Sequence, residues 1–374
     1  MHAPLRPGFP VEWRDLSALQ SIAEEWRELA AHALEPNVFY EPAFALAAAP
    51  VFGVDTRAVL VRNALGKLVG LFPGHAGRLK VAGWVHPYAP LGTPLVDRNE
   101  PEAVIGAWLG HLGRDPAMPA QLLLPLVPEQ GAFARALDAV LTQAGRRSAA
   151  FGRHERALLA PGDERQAYLE RSMSAGKRKE LRRQRRRLED VGPVTVTTAS
   201  AMADIEAALQ DFLVLEASGW KGLAGTAIAG DPAIKAFVHG AVTTLAAEGK
   251  ARIDRLLLDS AAIAATITLT SGDTAWCWKI AYNEGLARSS PGVQLICDLT
   301  DSLFARSEPR RVDSCAAAGH PMIDHVWRER LMLSDRLIEL RPSAMPFALA
   351  CGIETARRAA IATAKSLRDR LRGR

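Results

Sequence analysis

The chain has 374 residues, 48% hydrophobic and 23% charged, a globular composition too long for one ordinary core. It carries 46 Lys and Arg against 41 Asp and Glu, but residues 177–187 and 357–374 together hold fifteen of the basic and two of the acidic ones, leaving a mildly acidic remainder of 31 against 39. That distribution excludes a nucleic-acid protein whose whole surface is positive, and the absence of any run of 18 apolar residues excludes a membrane-spanning helix.

The opening "MHAPLRPGFPVEWRD" lacks an apolar core, so no signal peptide is expected. In "LSALQSIAEEWRELAAHA", Leu16, Leu19, Ile22, Ala23, Trp26 and Leu29 share one helical stripe, with Asp15 or Ser17 able to cap it. "NVFYEPAFALAAAPVFG" reads as a turn and a short helix. "TRAVLVRNALGKLVGLFPGHAGRLK" predicts a hairpin turning at residues 64–66. A Pro/Gly-punctuated loop, "YAPLGTPLVD", precedes a helix near residues 102–112, then the strand "AQLLLPLVP" and the amphipathic helix "GAFARALDAVLTQAG".

The second half repeats that order coarsely. A basic helix over residues 174–189 has only Met173, Leu181 and Leu188 as its apolar stripe, enough to dock on protein but not to enter a bilayer deeply. The strand "PVTVTTAS" follows, then two helices, the second capped by Asp231 with Pro232 at its first position. Next come strands over 251–259 and 261–282, a helix over 291–306 and the strand "RRVDSCA". The expected architecture is α/β with mixed sheets, in two similar domains (10–155 and 160–345) and a basic amphipathic tail helix from residue 346.

The four cysteines (Cys277, Cys297, Cys315, Cys351) show no CxxC spacing, and the nine histidines no HxxxH or Cys/His cluster. Reduced thiols, a cytoplasmic setting and no metal site are expected. The chemistry concentrates in "TAWCWKIAYNEGLARSSPGVQLICDLTDSL". An aromatic-rich strand leads through a loop to a helix start with Ser290 as expected N-cap, Pro291 first and Gly292 permitting close approach. The amides of Gly292, Val293 and Gln294 at that start suit a pyrophosphate. Ser-Pro also opens many purely structural helices. Strand alternation puts Trp278, Ile280 and Tyr282 on one face and Lys279 and Ala281 on the other.

These stretches, with "GKLVGLFP" (66–73), "PLGTPLVD" (90–97), the basic run after Ser174 and "VDSCAAAGHPMIDHVW" (312–327), resemble the CelD/BioF2-like branch of the GNAT acyltransferases, relatives of the FemAB-type peptidyltransferases. The resemblance spans most of residues 10–345 and rests on the order of the motifs. It implies two tandem GNAT-like domains and transfer of an acyl group from acyl-CoA to an amine, conceivably on a cell-envelope or polysaccharide precursor. Under it, residues 290–294 (Ser290, Pro291, Gly292, Val293, Gln294) hold the CoA pyrophosphate. The usual phosphate loop, Gln/Arg-x-x-Gly-x-Gly/Ala, is absent, which leaves another carrier thioester or an aminoacyl-tRNA open as donor. Where relatives carry Gly-x-x-x-Tyr-Lys-x-x-Trp, Gly319 to Trp327 has Asp324 in the Lys position.

Asp313, His320 and Asp324 are therefore the candidate catalytic constellation, set against a turn-capping Asp313 and a surface His320. Cys315 reads more readily as a small buried thiol than as a nucleophile. Trp220, Lys221, Trp278, Lys279 and Tyr282 are the candidate substrate-binding residues, with plain packing of Trp220 as the alternative. Nucleic acid is a poor partner for the basic run, which lacks interleaved aromatics; anionic donor phosphates or peripheral contact with an anionic membrane fit better. The competing function is a catalytically silent protein of this fold that binds a polyanion or membrane surface in a polysaccharide or export system.

Overall fold

Near-continuous apolar runs, buried along most of their length, build the central strands of this chain, and several find partners far away in sequence. The structure is a computed structural model describing residues 8–160, 168–304 and 309–371. Its first half contains β1 (Val11–Asp15), α1 (Ala23–Ala31), α2 (Pro42–Phe52), the hairpin β2 (Arg57–Arg62) and β3 (Leu68–Ala76), then β4 (Val81–Gly83), β5 (Leu95–Val96), α3 (Pro101–Arg114), β6 (Gln121–Pro128), α4 (Ala132–Gln143) and β7 (Ser148–Leu159). The second half runs α5 (Tyr168–Ser172), α6 (Ala175–Glu189), β8 (Val194–Ala199), α7 (Met202–Ser218), α8 (Trp220–Leu223), α9 (Pro232–Ala247), β9 (Ala251–Leu258), β10 (Ala261–Ser271), β11 (Thr274–Tyr282), α10 (Pro291–Phe304), β12 (Arg311–Asp313) and β13 (Glu329–Glu339). The tail helix is α11 (Phe347–Leu371). The ends of the two expected last helices, residues 305–306 and 372–374, and the opening residues 1–7 lie outside the described residues.

Among the described residues one continuous sheet forms, in the order β1-β2-β3-β4-β6-β13-β7-β12-β11-β10-β9-β8, with β5 beside β3. The strand that comes last in the chain, β13, lies between β6 and β7, antiparallel to both. β7 in turn pairs with β12 of the second half. Sequence halves and sheet halves are therefore interlocked: each half lends a strand to the seam.

Local chemistry explains the helices. Asp231 accepts from the amides of Ala233 (2.9 Å) and Ile234 (3.2 Å), with Pro232 at the first turn. Ser174 accepts from Lys177 N–H at 3.2 Å and so starts the basic helix α6, whose Leu181 and Leu188 are buried, as is Met173. One expectation needs correcting. Residues 16–22 form a tight 3-10 turn before α1, and Asp15, at the end of an unforeseen strand, makes no side-chain cap bond.

The largest core cluster crosses between halves. Leu16, Trp26, Phe39 and Phe44 join Ile205, Phe212, Phe237, Trp276 and Trp278 in it. Phe44 meets Phe237 edge to face at 5.4 Å and Trp278 at 5.5 Å. This shared aromatic core fixes the first half against β11, the strand on which the cavity described below is built.

Candidate active site

β11 and β12 run parallel and are hydrogen-bonded only over Thr274–Trp276 and Arg311–Asp313. Beyond that point β12 stops while β11 continues to Tyr282, so its edge facing β12 has no strand partner from Cys277 onward. A cavity of about 290 Å³ fills the gap, lined among others by Cys277–Tyr282 of β11, Ser314–Ala317 after β12, Glu216 of α7, His320 and Met322. Its lining draws on elements packed on both faces of the sheet, Leu215 and Glu216 of α7 and Ile296 of α10.

A β-bulge decides what points where. Lys279 stands opposite Ile267 and Cys277 opposite Thr268, so Trp278 is the extra residue. The simple alternation expected from sequence is thereby overturned. Trp278 and Ala281 join the core shared with α7 and the first half, while Cys277 and Ile280 turn to the cluster under α10 and Tyr282 packs near Leu295 of α10. Lys279 goes with Trp278, its Nζ 5.7 Å from that ring centre and 4.1 Å from the Tyr88 ring of the first half.

Lys279 is the electrostatic anomaly of the site. Burial, then repulsion from Lys221, pushes its ammonium down to about 8, against the pull of Glu216. Among the described residues its Nζ has no hydrogen bond or ion pair. Lys221, by contrast, is tied to Glu216 at 2.5 Å, and the second Glu216 oxygen accepts from Ile228 N–H at 2.9 Å. Trp220, 52% exposed, stands at the cavity rim, its amide held by Glu284 at 3.0 Å. All five residues expected to touch substrate (Trp220, Lys221, Trp278, Lys279, Tyr282) line the cavity.

The three candidate catalytic residues separate. His320 lines the cavity. Burial lowers its pKa below the ordinary histidine value, partly countered by Asp324, so the ring is neutral at physiological pH. Its one contact, Met322 N–H to Nδ1 at 3.4 Å, is long and leaves the tautomer open. Asp324 lies behind it: its amide donates to His320 C=O at 3.2 Å, and its Oδ1 is buried without a partner among the described residues. Asp313 is not in the cavity. It is 2% exposed, its Oδ2 is ion-paired to Arg156 and its Oδ1 accepts from Cys315 N–H at 2.9 Å. This corrects the expected constellation: a carboxylate with both oxygens engaged by buried protein donors shapes the strand end instead of meeting a reactant.

The helix start also differs in detail. Ser290 is left-handed (φ 48°, ψ 49°), and no side-chain cap bond from it appears among the described residues. Gln294 N–H is already spent on Ser290 C=O at 3.1 Å, and its side chain bonds Ser289 C=O at 2.6 Å. With Pro291 lacking an N–H, the amides of Gly292 and Val293 are those outside the first intrahelical bond. Gly292 is needed here for approach: a Cβ would sit 3.0 Å from Met322 Sδ and 3.3 Å from the Tyr282 ring, both cavity-lining groups. α6 crosses beside this start, with Arg185 on Asp298 at 3.0 Å. Its exposed Lys177, Lys179, Arg182, Arg186 and Arg187 have no protein partner among the described residues.

Glu216, Tyr88 and His86 were missed from sequence. His86 is half-buried and stacked on Phe52 (4.1 Å), its Nε2 without a partner among the described residues, and burial, then Lys279, lowers it to about 3 and keeps it neutral. A signal existed for Glu216, a charged residue on the apolar stripe of α7. None existed for Tyr88, which reaches Lys279 only through the fold.

The site is thus built from splayed parallel strands, a bulge on the longer one and a helix starting just beyond it. Residues 175–320 match the family model described as an acetyltransferase (GNAT) domain. The matched stretch, most of the second half, therefore has the sequence pattern of a GNAT-type acetyltransferase domain. No curated protein matches the chain. Among solved structures it is similar to the C-terminal DUF2156 domain of a proposed lysylphosphatidylglycerol synthetase from Agrobacterium fabrum (TM-score 0.55, 12% identity, covering 90% of this chain and 95% of that one). It is also similar to FemX (TM-score 0.55, 8% identity, 85% and 95%) and to a conserved protein of unknown function from Bacteroides thetaiotaomicron (TM-score 0.53, 10% identity, 89% and 100%). At these identities the likeness shows the fold, and it covers both halves.

Among the described residues no group of three or more His, Cys, Asp or Glu is placed to hold a metal ion. None of the described helices is long and apolar enough to cross a membrane.

Proposed function

We propose that the chain transfers an acyl group from acyl-CoA to an amine within the cavity between β11 and β12. The observation that carries this is the splay itself: parallel pairing that ends at Trp276 and opens a gap beside a helix start. The donor approaches from the α10 face, its pyrophosphate at the amides of Gly292 and Val293 and its outer phosphates within the field of the free α6 cations. Its thioester carbonyl enters the gap, where the unpartnered edge of β11 offers backbone N–H groups to the oxyanion. The acceptor arrives from the α7 face, past Trp220. It must shed a proton to attack, and neutral His320 takes it, directly or through water. The amide forms, the C–S bond breaks, and the proton balance returns to the CoA thiolate.

This reading is closest to the CelD/BioF2-like acyltransferases, with a cytoplasmic setting and an amine acceptor of peptide, lipid or glycan-precursor type. On this reading 10–155 and 160–345 are two structural repeats that fold together, each lending a strand to the seam.

Calorimetric titration of acetyl-CoA and a long-chain acyl-CoA into wild type and Gly292→Trp tests the donor site. Wild type is expected to bind at least one thioester, and the indole, forced against Tyr282 and Met322, to weaken that binding by at least tenfold with the unfolding transition retained. Wild type that binds neither overturns the CoA reading and favours the silent, polyanion-binding alternative.

A further inference from the structure

The observation that demands an occupant is the ammonium of Lys279. Its neighbours within the protein are two aromatic faces, at 4.1 and 5.7 Å, and it has no hydrogen-bond acceptor among the described residues. Lys279 lines the cavity together with Lys221, Glu216 and Cys315, which it senses there, while His86 lies on its other side, outside the lining. Lys279 is half-buried, its donors unused among the described residues, and an anion entering the cavity gains a charge-assisted contact with it.

We propose that Lys279 receives a carboxylate carried by the acceptor, so that the substrate amine is an amino acid or a molecule ending in one. The assignment to the acceptor rests on the donor reading above. The bulge turns Lys279 to the face of α7 and Tyr88, whereas the donor enters from the face of α10. Charge balance selects a monoanion. Lys221 is already paired with Glu216, so the one cation left over is neutralised by a carboxylate, whereas a phosphate dianion would leave one negative charge uncompensated. The walls of Tyr88, Trp278 and Trp220 leave room for an apolar side chain.

The test is calorimetry on the full chain at pH 7, with and without acetyl-CoA, using the common amino acids, their amides (glycinamide, alaninamide and the rest) and phosphoethanolamine. At least one amino acid is expected to bind tenfold or more tightly than its amide, and Lys279→Met to reduce that preference to twofold or less. Equal binding of acid and amide, binding of phosphoethanolamine alone, no binding by any amino acid, or a preference that survives Lys279→Met each overturns the proposal. Folding of the variant is checked by its thermal transition, expected at or above wild type below pH 8. The gap should close as pH rises past 8, where folded-state Lys279 loses its proton while the unfolded chain keeps it up to about 10.5. Lys279→Gln serves as a second variant. The acetyl-CoA titration separates the two readings. CoA binding without a carboxylate preference fails this inference alone, and a preference without CoA binding fails the donor reading while leaving the anion site.

Discussion

His320→Gln is expected to lower the rate of acyl transfer by about 10²–10⁴-fold while leaving donor affinity nearly unchanged, the loss typical of removing a positioned base. The argument is positional first. Of the three candidate acid–base residues only His320 lines the cavity, and its ring is otherwise bound by one long contact. Burial then makes it neutral, holding its pKa below the usual 6.5. In a pH profile of kcat/KM the acid limb is therefore expected below pH 6.5, with activity rising as the ring loses its proton, and that limb is expected to vanish in His320→Gln. Asp324 supplies a finer control. Its charge raises the His320 pKa, so Asp324→Asn should move the acid limb to still lower pH without abolishing turnover. A profile in which the limb persists unchanged in His320→Gln assigns the proton transfer elsewhere.

Why some elements around the cavity were legible in the sequence, and others were not, follows from how each is encoded. Capping and periodicity are local, so the Asp231–Pro232 start of α9, the Ser174 start of α6 and the β2–β3 hairpin were legible. β7 and β13 were not. They read "SAAFGRHERALL" and "ERLMLSDRLIE", charged text that resembles no buried strand. Their charges are tolerated because partners arrive from remote positions: Arg156 meets Asp313, and Asp335 accepts from Leu126 N–H at 2.7 Å and from Arg358 at 2.6 Å. Register breaks add to the concealment, since β13 shifts at Asp335 against both neighbours. The Trp278 bulge had the same effect at the site, reversing the face of every following residue. A period of two cannot anticipate a bulge, which is set by the strands on either side. Lys279 was visible as a misplaced charge in an apolar strand, but its cage of Tyr88, Trp278, Glu216 and Lys221 is made by two halves meeting.

The buried pair Arg156–Asp313 is where stability and activity are expected to part. Arg156 bridges Pro90 C=O of the first half, at 2.9 Å, to Asp313 at the end of β12, and both side chains are 3% exposed. Arg156→Ala leaves a buried carboxylate without its cation and is expected to cost about 3–5 kcal/mol, read as a lower midpoint in urea unfolding. Asp313→Asn is the discriminating variant. It keeps Oδ1 as acceptor for Cys315 N–H, the bond that holds Cys315 in its left-handed conformation (φ 52°) on the cavity wall. If Asp313 only positions that wall, Asn should lose some stability while turnover per folded molecule stays within about tenfold and the pH profile keeps its shape. If the carboxylate took part in proton transfer, Asn would cost about 10²-fold or more and remove a limb of the profile. Burial, the Arg156 pair and exclusion from the cavity all argue for the first outcome. Asp313→Ala, which loses the Cys315 bond as well, should then impair turnover more than Asn does, because the left-handed turn between β12 and His320 loses the acceptor that holds it.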